Sequence, residues 1–150
     1  MRIVVDTNIA FSAILNTNSL IGRIFLKPKS RLNFYATDLL LIELQEHKNK
    51  LKRLSGFTDE EFEKSVLIIT NKIRFIDARL IPPSILILAQ EMLKDVDIDD
   101  TEFVALTNHI HGRLWSGDKI LQNGLKQKKW DKFITTYELI ELINKKTLYF

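Results

Sequence analysis

Arg2-Ile3-Val4-Val5-Asp6-Thr7-Asn8 opens the chain, and the fold turns on how it is read. Three β-branched apolar residues run without a polar break into Asp, Thr and Asn. Such a run suits a strand buried on both faces, as in a parallel sheet. The polar triplet then stands at the strand's carboxyl end, where open α/β sheets bind ligands. The stretch 9–15 reads as a helix with Thr7 or Asn8 as its N-cap. Asp6 is therefore either a cap or a carboxylate held at the mouth of a sheet, and this stretch alone supports both.

Outward from this strand, helical and extended segments alternate. A second helix is expected over 20–27, with Leu20, Ile24 and Phe25 inward, before Pro28 breaks it. A second strand follows over 32–37. One long helix is expected over 39–54, with Ser55-Gly56 as its C-cap. Thr58 and Glu61 form a capping-box signature, and Phe62, Val66, Ile69 and Ile73 form a stripe of helical period. A short strand over 74–77, a helix from Pro83 to about residue 94, a helix over 101–111, a strand over 113–116, a basic helix over 119–129 with a possible break at Gly124, a strand over 132–135 and a helix over 137–145 capped by Thr136 complete the pattern. Strands alternating with helices predict a layered α/β domain around a central parallel sheet, one domain over 1–150.

Composition narrows the chemistry. The 150 residues are 45% hydrophobic and 27% charged, with a formal net charge of +3 and a pI near 9.1. There is no Cys, which removes disulfides and thiolate metal sites and fits a reducing, cytoplasmic setting. The strand begins at once, so no signal peptide is expected, and the apolar runs are too short to span a bilayer.

Four places carry acids at equivalent positions. Asp6 ends the first strand, and Asp118 ends the strand containing Trp115. Asp97, Asp99 and Asp100 open the helix before that strand. Glu43 stands one turn into the helix after the second strand, alone among Leu39, Leu40, Leu41 and Ile42. Taken singly, each reads as a cap or a solvated side chain, and Glu43 as facing solvent beside Glu46 and His47. Together, at one end of a parallel sheet, they suit a hard divalent cation, Mg²⁺ or Mn²⁺, which would offset their mutual repulsion. Zinc fits less well, because His109 and His111 point to different helix faces and His47 stands alone. Asp97, Asp99 and Asp100 compete for the third acidic place. Asp100 is preferred, one turn before the inward-facing Phe103, with Asp99 as the better cap and Asp97 in the loop.

In this order, Val4-Val5-Asp6-Thr7-Asn8, Glu43, Asp100-Thr101-Glu102-Phe103-Val104-Ala105-Leu106 and Trp115-Ser116-Gly117-Asp118-Lys119-Ile120-Leu121 resemble the PIN-domain ribonucleases, which include the VapC-type toxins of toxin–antitoxin pairs. The resemblance covers nearly the whole chain. It implies a three-layer α/β/α fold and metal-dependent cleavage of RNA. Asp6, Glu43, Asp100 and Asp118 would be the catalytic acids, with Asp6, Asp100 and Asp118 on the metal and Asn8 and Ser116 supporting them. RNA would be the substrate, an antitoxin protein a partner, and the cytoplasm the location.

Basic side chains would hold the phosphate backbone. Lys119, Arg23 and Lys48 are the leading candidates, with Lys27, Lys29, Arg31, the run 48–53, Lys126, Lys128 and Lys129 behind them. Trp115 and Trp130 could stack on bases, although Trp115 reads better as core. An apolar stripe left over on the helices 39–54 and 59–73 would favour a homodimer. The alternative to an enzyme is a non-catalytic PIN-fold module that binds RNA or serves as a scaffold. A nucleotide hydrolase is disfavoured, because no phosphate-cradling Gly-x-x-x-x-Gly-Lys loop is present.

Overall fold

The computed structural model describes residues 1–148. Five strands, β1 (Arg2–Val5), β2 (Asn33–Thr37), β3 (Ile73–Ile76), β4 (Arg113–Trp115) and β5 (Phe133–Ile134), form one sheet in the order β3-β2-β1-β4-β5. Every pairing is parallel, with Val4 opposite Tyr35 on one side and Leu114 on the other. Among the described residues the helices are α1 (Thr7–Leu15), α2 (Leu20–Leu26), α3 (Leu39–Glu46), α4 (Lys48–Ser55), α5 (Asp59–Thr70), α6 (Pro83–Leu93), α7 (Thr101–His109), α8 (Lys119–Gln127) and α9 (Thr136–Leu148).

Strand alternation divides the core in two. Ile3 and Val5 join Ile14, Phe25, Phe34, Leu40 and Trp115 in a layer built with α1–α5 and α9. Val4 faces the other way, onto Leu106, Leu114 and Leu121 in the layer of α6, α7 and α8. Ile3, Val4 and Val5 are all fully buried, which is why β1 lacks polar alternation. The result is the expected three-layer α/β/α arrangement. From β1 the chain winds to β2 and β3 on one side, and from β4 to β5 on the other. Connections therefore diverge at the carboxyl ends of β1 and β4, a topological switch point.

Local signals set most element ends. Thr58 and Glu61 form the expected reciprocal cap of α5. Gly56, in the left-handed region at φ 69°, ends α4 where a side chain would be strained.

Several expectations change. The helix 39–54 is two helices, broken at His47 (φ −100°, ψ 8°). His47 packs edge-on against Phe11, 5.8 Å between ring centroids, at the corner where the chain turns from the apolar α3 to the basic α4. Ile73 belongs to β3 beside Phe34 rather than to the helix, because the turn at Asn71 and Lys72 ends α5 first. Leu20 is exposed, leaving Ile24 and Phe25 as the inner face of α2. Thr135, not Thr136, caps α9, exchanging hydrogen bonds of 3.1 and 3.2 Å with Glu138. The α8 helix runs through Gly124 unbroken.

Both tryptophans are core. Trp115 stacks among Phe25 and Phe34 and donates from Nε1 to Thr136 Oγ1 at 3.0 Å. Trp130 donates to Asn108 Oδ1 at 3.0 Å and is buried as well, so neither offers a ring to a base.

Candidate metal centre

Asp6 follows the last residue of β1, and its backbone N–H extends the ladder to the Trp115 carbonyl at 3.2 Å. One carboxylate oxygen accepts from the Asn8 amide at 3.1 Å and so caps α1. The other accepts from Ser116 Oγ at 2.7 Å. Asp6 is thus both the helix cap and a buried acid at the sheet mouth, and α1 starts at Thr7 because Asp6 rather than Thr7 or Asn8 is the cap. Burial pushes its carboxyl above the usual range. The Ser116 and Asn8 hydrogen bonds pull it down, and the charges of Asp118 and Asp97 raise it again.

From the neighbouring strand, Ser116 Oγ also accepts from the Asp118 amide at 3.1 Å. The Ser116 carbonyl accepts from Gln122 Nε2 at 2.8 Å. Asp118 caps α8, one carboxylate oxygen accepting from Ile120 (3.0 Å) and Leu121 (3.1 Å). A serine is the suitable residue here, since one hydroxyl donates to a carboxylate and accepts from an amide at once.

The third contribution comes from the segment before α7. Asp97 accepts from the Asp99 amide at 3.0 Å and opens a 3-10 turn over Ile98–Asp100. Asp100 then stands at the N-cap position of α7 with its side chain free of any capping bond. The expected cap, Asp99, plays no such part; Asp97 does the capping, one turn earlier. Asp97, Asp100 and Asp118 each offer a carboxylate oxygen, and these oxygens lie within 4.8 Å of one another. Burial, followed by the charges of Asp6, Asp97, Asp118 and Glu43, pushes the Asp100 carboxyl up to about 7.

These elements border a cleft of about 610 Å³ lined by Asp6, Thr7, Asn8, Leu39, Glu43, Glu46, His47, Asp97, Ile98, Asp99, Asp100, Glu102 and Phe103. Glu43 is half-buried on the α3 wall. Burial raises its carboxyl, as do Asp6 and Glu46, against opposing effects of the Thr7 hydroxyl and His47. The buried Thr7 hydroxyl neighbours Glu43 but falls short of a full hydrogen bond. Among the described residues no Lys or Arg lines the cleft. The described ion pairs, Lys48–Glu63, Lys52–Asp59, Arg79–Asp77, Lys94–Glu91 and Lys128–Asp95, leave its acids uncompensated. A concentration of carboxylates with no Lys or Arg partner among the described residues and no sulfur donor fits a hard divalent cation.

The structure thus brings Asp6, Glu43 and Asp100 to one cleft and Asp118 to the side of Asp100. Asn8 touches Asp6 through its backbone amide, and its exposed side chain edges the cleft. Lys119 is the first residue of α8, beside Asp118. Lys48 follows the cleft residue His47, with its ammonium on Glu63 at 2.7 Å. Arg23 lies on α2, which packs on α1, α5 and α9, and does not line the cleft. The sequence places Asp97 in the loop as a competitor for the third acidic position and gives no role in the site to Glu46, Glu102 or Gln122, whereas the structure puts Asp97 in the cluster and Glu46 and Glu102 in the cleft lining. Glu46 alone carried a plain signal, three residues from Glu43 on the same helix side.

Comparisons with known proteins follow the same lines. A PIN-domain family model matches residues 4–138. No curated protein matches this sequence. Among solved structures, a chain of VapBC2 from Rickettsia felis, crystallised bound to a DNA fragment from the pair's promoter, superposes with a TM-score of 0.65 at 16% identity. The match covers 90% of this chain and 97% of that one. At that identity the likeness is one of fold. The family model, spanning nearly all of the sheet and every acid of the cleft, shows that the chain belongs to the PIN-domain family.

Proposed function

We propose that this protein is a Mg²⁺- or Mn²⁺-dependent endoribonuclease, and the toxin of a toxin–antitoxin pair. The observation that carries the reading is the cluster of Asp97, Asp100 and Asp118 at the β1/β4 switch point, with Asp6 adjacent and no Lys or Arg among the described residues that line the cleft. Asp6, Asp100 and Asp118 would hold the cation, with Asp97 in the same group. A bound cation of this kind activates water and clamps the oxygens of a phosphodiester. Ser116 and the Asn8 amide hold Asp6 in one orientation and favour its charged form against the opposing effect of burial. Glu43 faces the cluster from α3, and its raised carboxyl suits it to take a proton from the attacking water. Lys119, at the rim beside Asp118, would meet the phosphate backbone of RNA.

The VapBC2 likeness supports an antitoxin as partner, and the cysteine-free composition suits action in the reducing cytoplasm. Among the described residues no single helix is long and apolar enough to cross a membrane. Exposed Ile42 and Leu67 on the packed helices α3–α5 support a homodimer.

The test is incubation with RNA, single-stranded DNA and a free nucleotide, with Mg²⁺, Mn²⁺ or EDTA. The reading expects RNA cleavage that EDTA abolishes and Asp100→Asn lowers by orders of magnitude. RNA binding without cleavage under Mn²⁺ would instead identify a non-catalytic module.

A further inference from the structure

Gly124 sits in the interior of a continuous helix, where glycine is a poorer helix former than alanine. The reason lies across the interface. A Cβ at position 124 would stand 2.8 Å from Cγ1 and 2.9 Å from Cγ2 of Val96. Carbon atoms in good contact are about 3.5–4.0 Å apart, so the Val96 side chain rests on bare α8 backbone. One turn further along, Lys128 Nζ donates to the Met92 carbonyl at 2.5 Å and pairs with Asp95. Two contacts therefore fasten the segment 92–96 to α8.

That segment leads directly into Asp97, and α8 itself begins at the cap Asp118. The carboxylate oxygens of Asp97 and Asp118 lie within 4.8 Å, where like charges repel. Their own electrostatics would part them, so the closeness must be imposed from outside. We infer that Gly124 and Val96 form a lock that positions Asp97 against Asp118, so that α8 sets the geometry of two clustered carboxylates at once. The inference rests on the metal-centre reading above and makes Gly124, Val96 and Lys128 positioning residues.

The experiment is Mn²⁺ titration by calorimetry on the full chain, with metal-free melting followed by circular dichroism. Gly124→Ala should weaken Mn²⁺ binding by about tenfold in protein that melts cooperatively. Adding Val96→Ala vacates the space that the new methyl needs, and the double variant should regain most of the affinity. A purely structural role would move the melting temperature and leave the affinity of folded protein unchanged.

Lys128→Gln serves if Gly124→Ala does not fold. It removes a positive charge, which electrostatics alone would turn into tighter cation binding, whereas a loosened clasp weakens it. Wild-type affinity in the folded Gly124→Ala protein, or no recovery in the double variant, overturns the lock. So does unchanged or tighter binding in Lys128→Gln. Failure of the wild-type protein itself to bind Mn²⁺ would overturn the metal-centre reading, and the lock with it.

Discussion

Ser116 Oγ donates to Asp6 Oδ2 at 2.7 Å across 110 residues of sequence, and both groups are buried. The bond joins the carboxyl ends of β1 and β4, so the two strands at the switch point are tied at Asp6, one of the residues that would hold the cation. The same hydroxyl accepts from the Asp118 amide, which couples all three residues.

Ser116→Ala should therefore cost more than a surface deletion. It removes a donor from a buried carboxylate and an acceptor from an amide. A hydrogen bond to a charged group contributes about 1.5–3 kcal/mol. We expect urea denaturation near neutral pH to show a loss of that order, together with weaker Mn²⁺ binding. A loss within experimental error would mean that solvent replaces the hydroxyl fully.

Metal-free stability should fall as pH rises. The Asp100 carboxyl is raised from 3.8 to about 7 in the fold. Between these values the native state holds a proton that the unfolded chain has lost. By linkage, stability decreases as pH climbs through that window and levels off above it. Asp6 and Glu43, both raised, add in the same direction. Melting temperatures at pH 5, 6 and 8 should decline in that order, and Asp100→Asn should flatten the decline. Mn²⁺ should stabilise most at pH 8, where protons compete least. Stability that rises from pH 5 to pH 8 without metal would contradict the crowding of acids.

Asp97 and Asp99 should separate cleanly. Asp97 shares the 4.8 Å cluster and caps the 3-10 turn, whereas Asp99 lines the cleft outside that cluster. Asp97→Asn keeps a capping oxygen and removes a charge, so it should weaken Mn²⁺ binding by roughly tenfold with the fold intact. A tenfold change corresponds to about 1.4 kcal/mol. Asp99→Asn should leave both affinity and melting close to wild type. Equal effects of the two variants would indicate a general field rather than a ligand set.

Self-association should map to α3–α5. Ile42 and Leu67 are 54% and 58% exposed on these helices, large apolar side chains that present more than half of their surface to solvent. Sedimentation at high micromolar concentration should show a dimer for the wild-type protein and a monomer for Leu67→Glu. A wild-type monomer at that concentration would end this expectation.

The features legible along the chain alone are local or compositional. The unbroken apolar run of β1 signals burial on both faces, and alternation with helices then demands layers on either side. The Thr58–Glu61 cap starts its helix and Gly56 ends its own through groups a few residues apart, so their chemistry is visible in a short window. Acids without cysteine announce a hard-cation site wherever they meet.

Where they meet was decided only by tertiary structure. Ser116 reaches Asp6 because β4 lies beside β1 in the sheet order, a pairing that no local periodicity encodes. Asp97 reads as a free loop residue until Val96 is seated on Gly124 and the segment is held to α8. The bend at His47 likewise needs Phe11, thirty-six residues earlier, to mark the corner. Caps and strand burial follow from neighbours along the chain. Ligand geometry follows from which loops the packed sheet brings within a few ångströms, and that is set by contacts far apart in sequence.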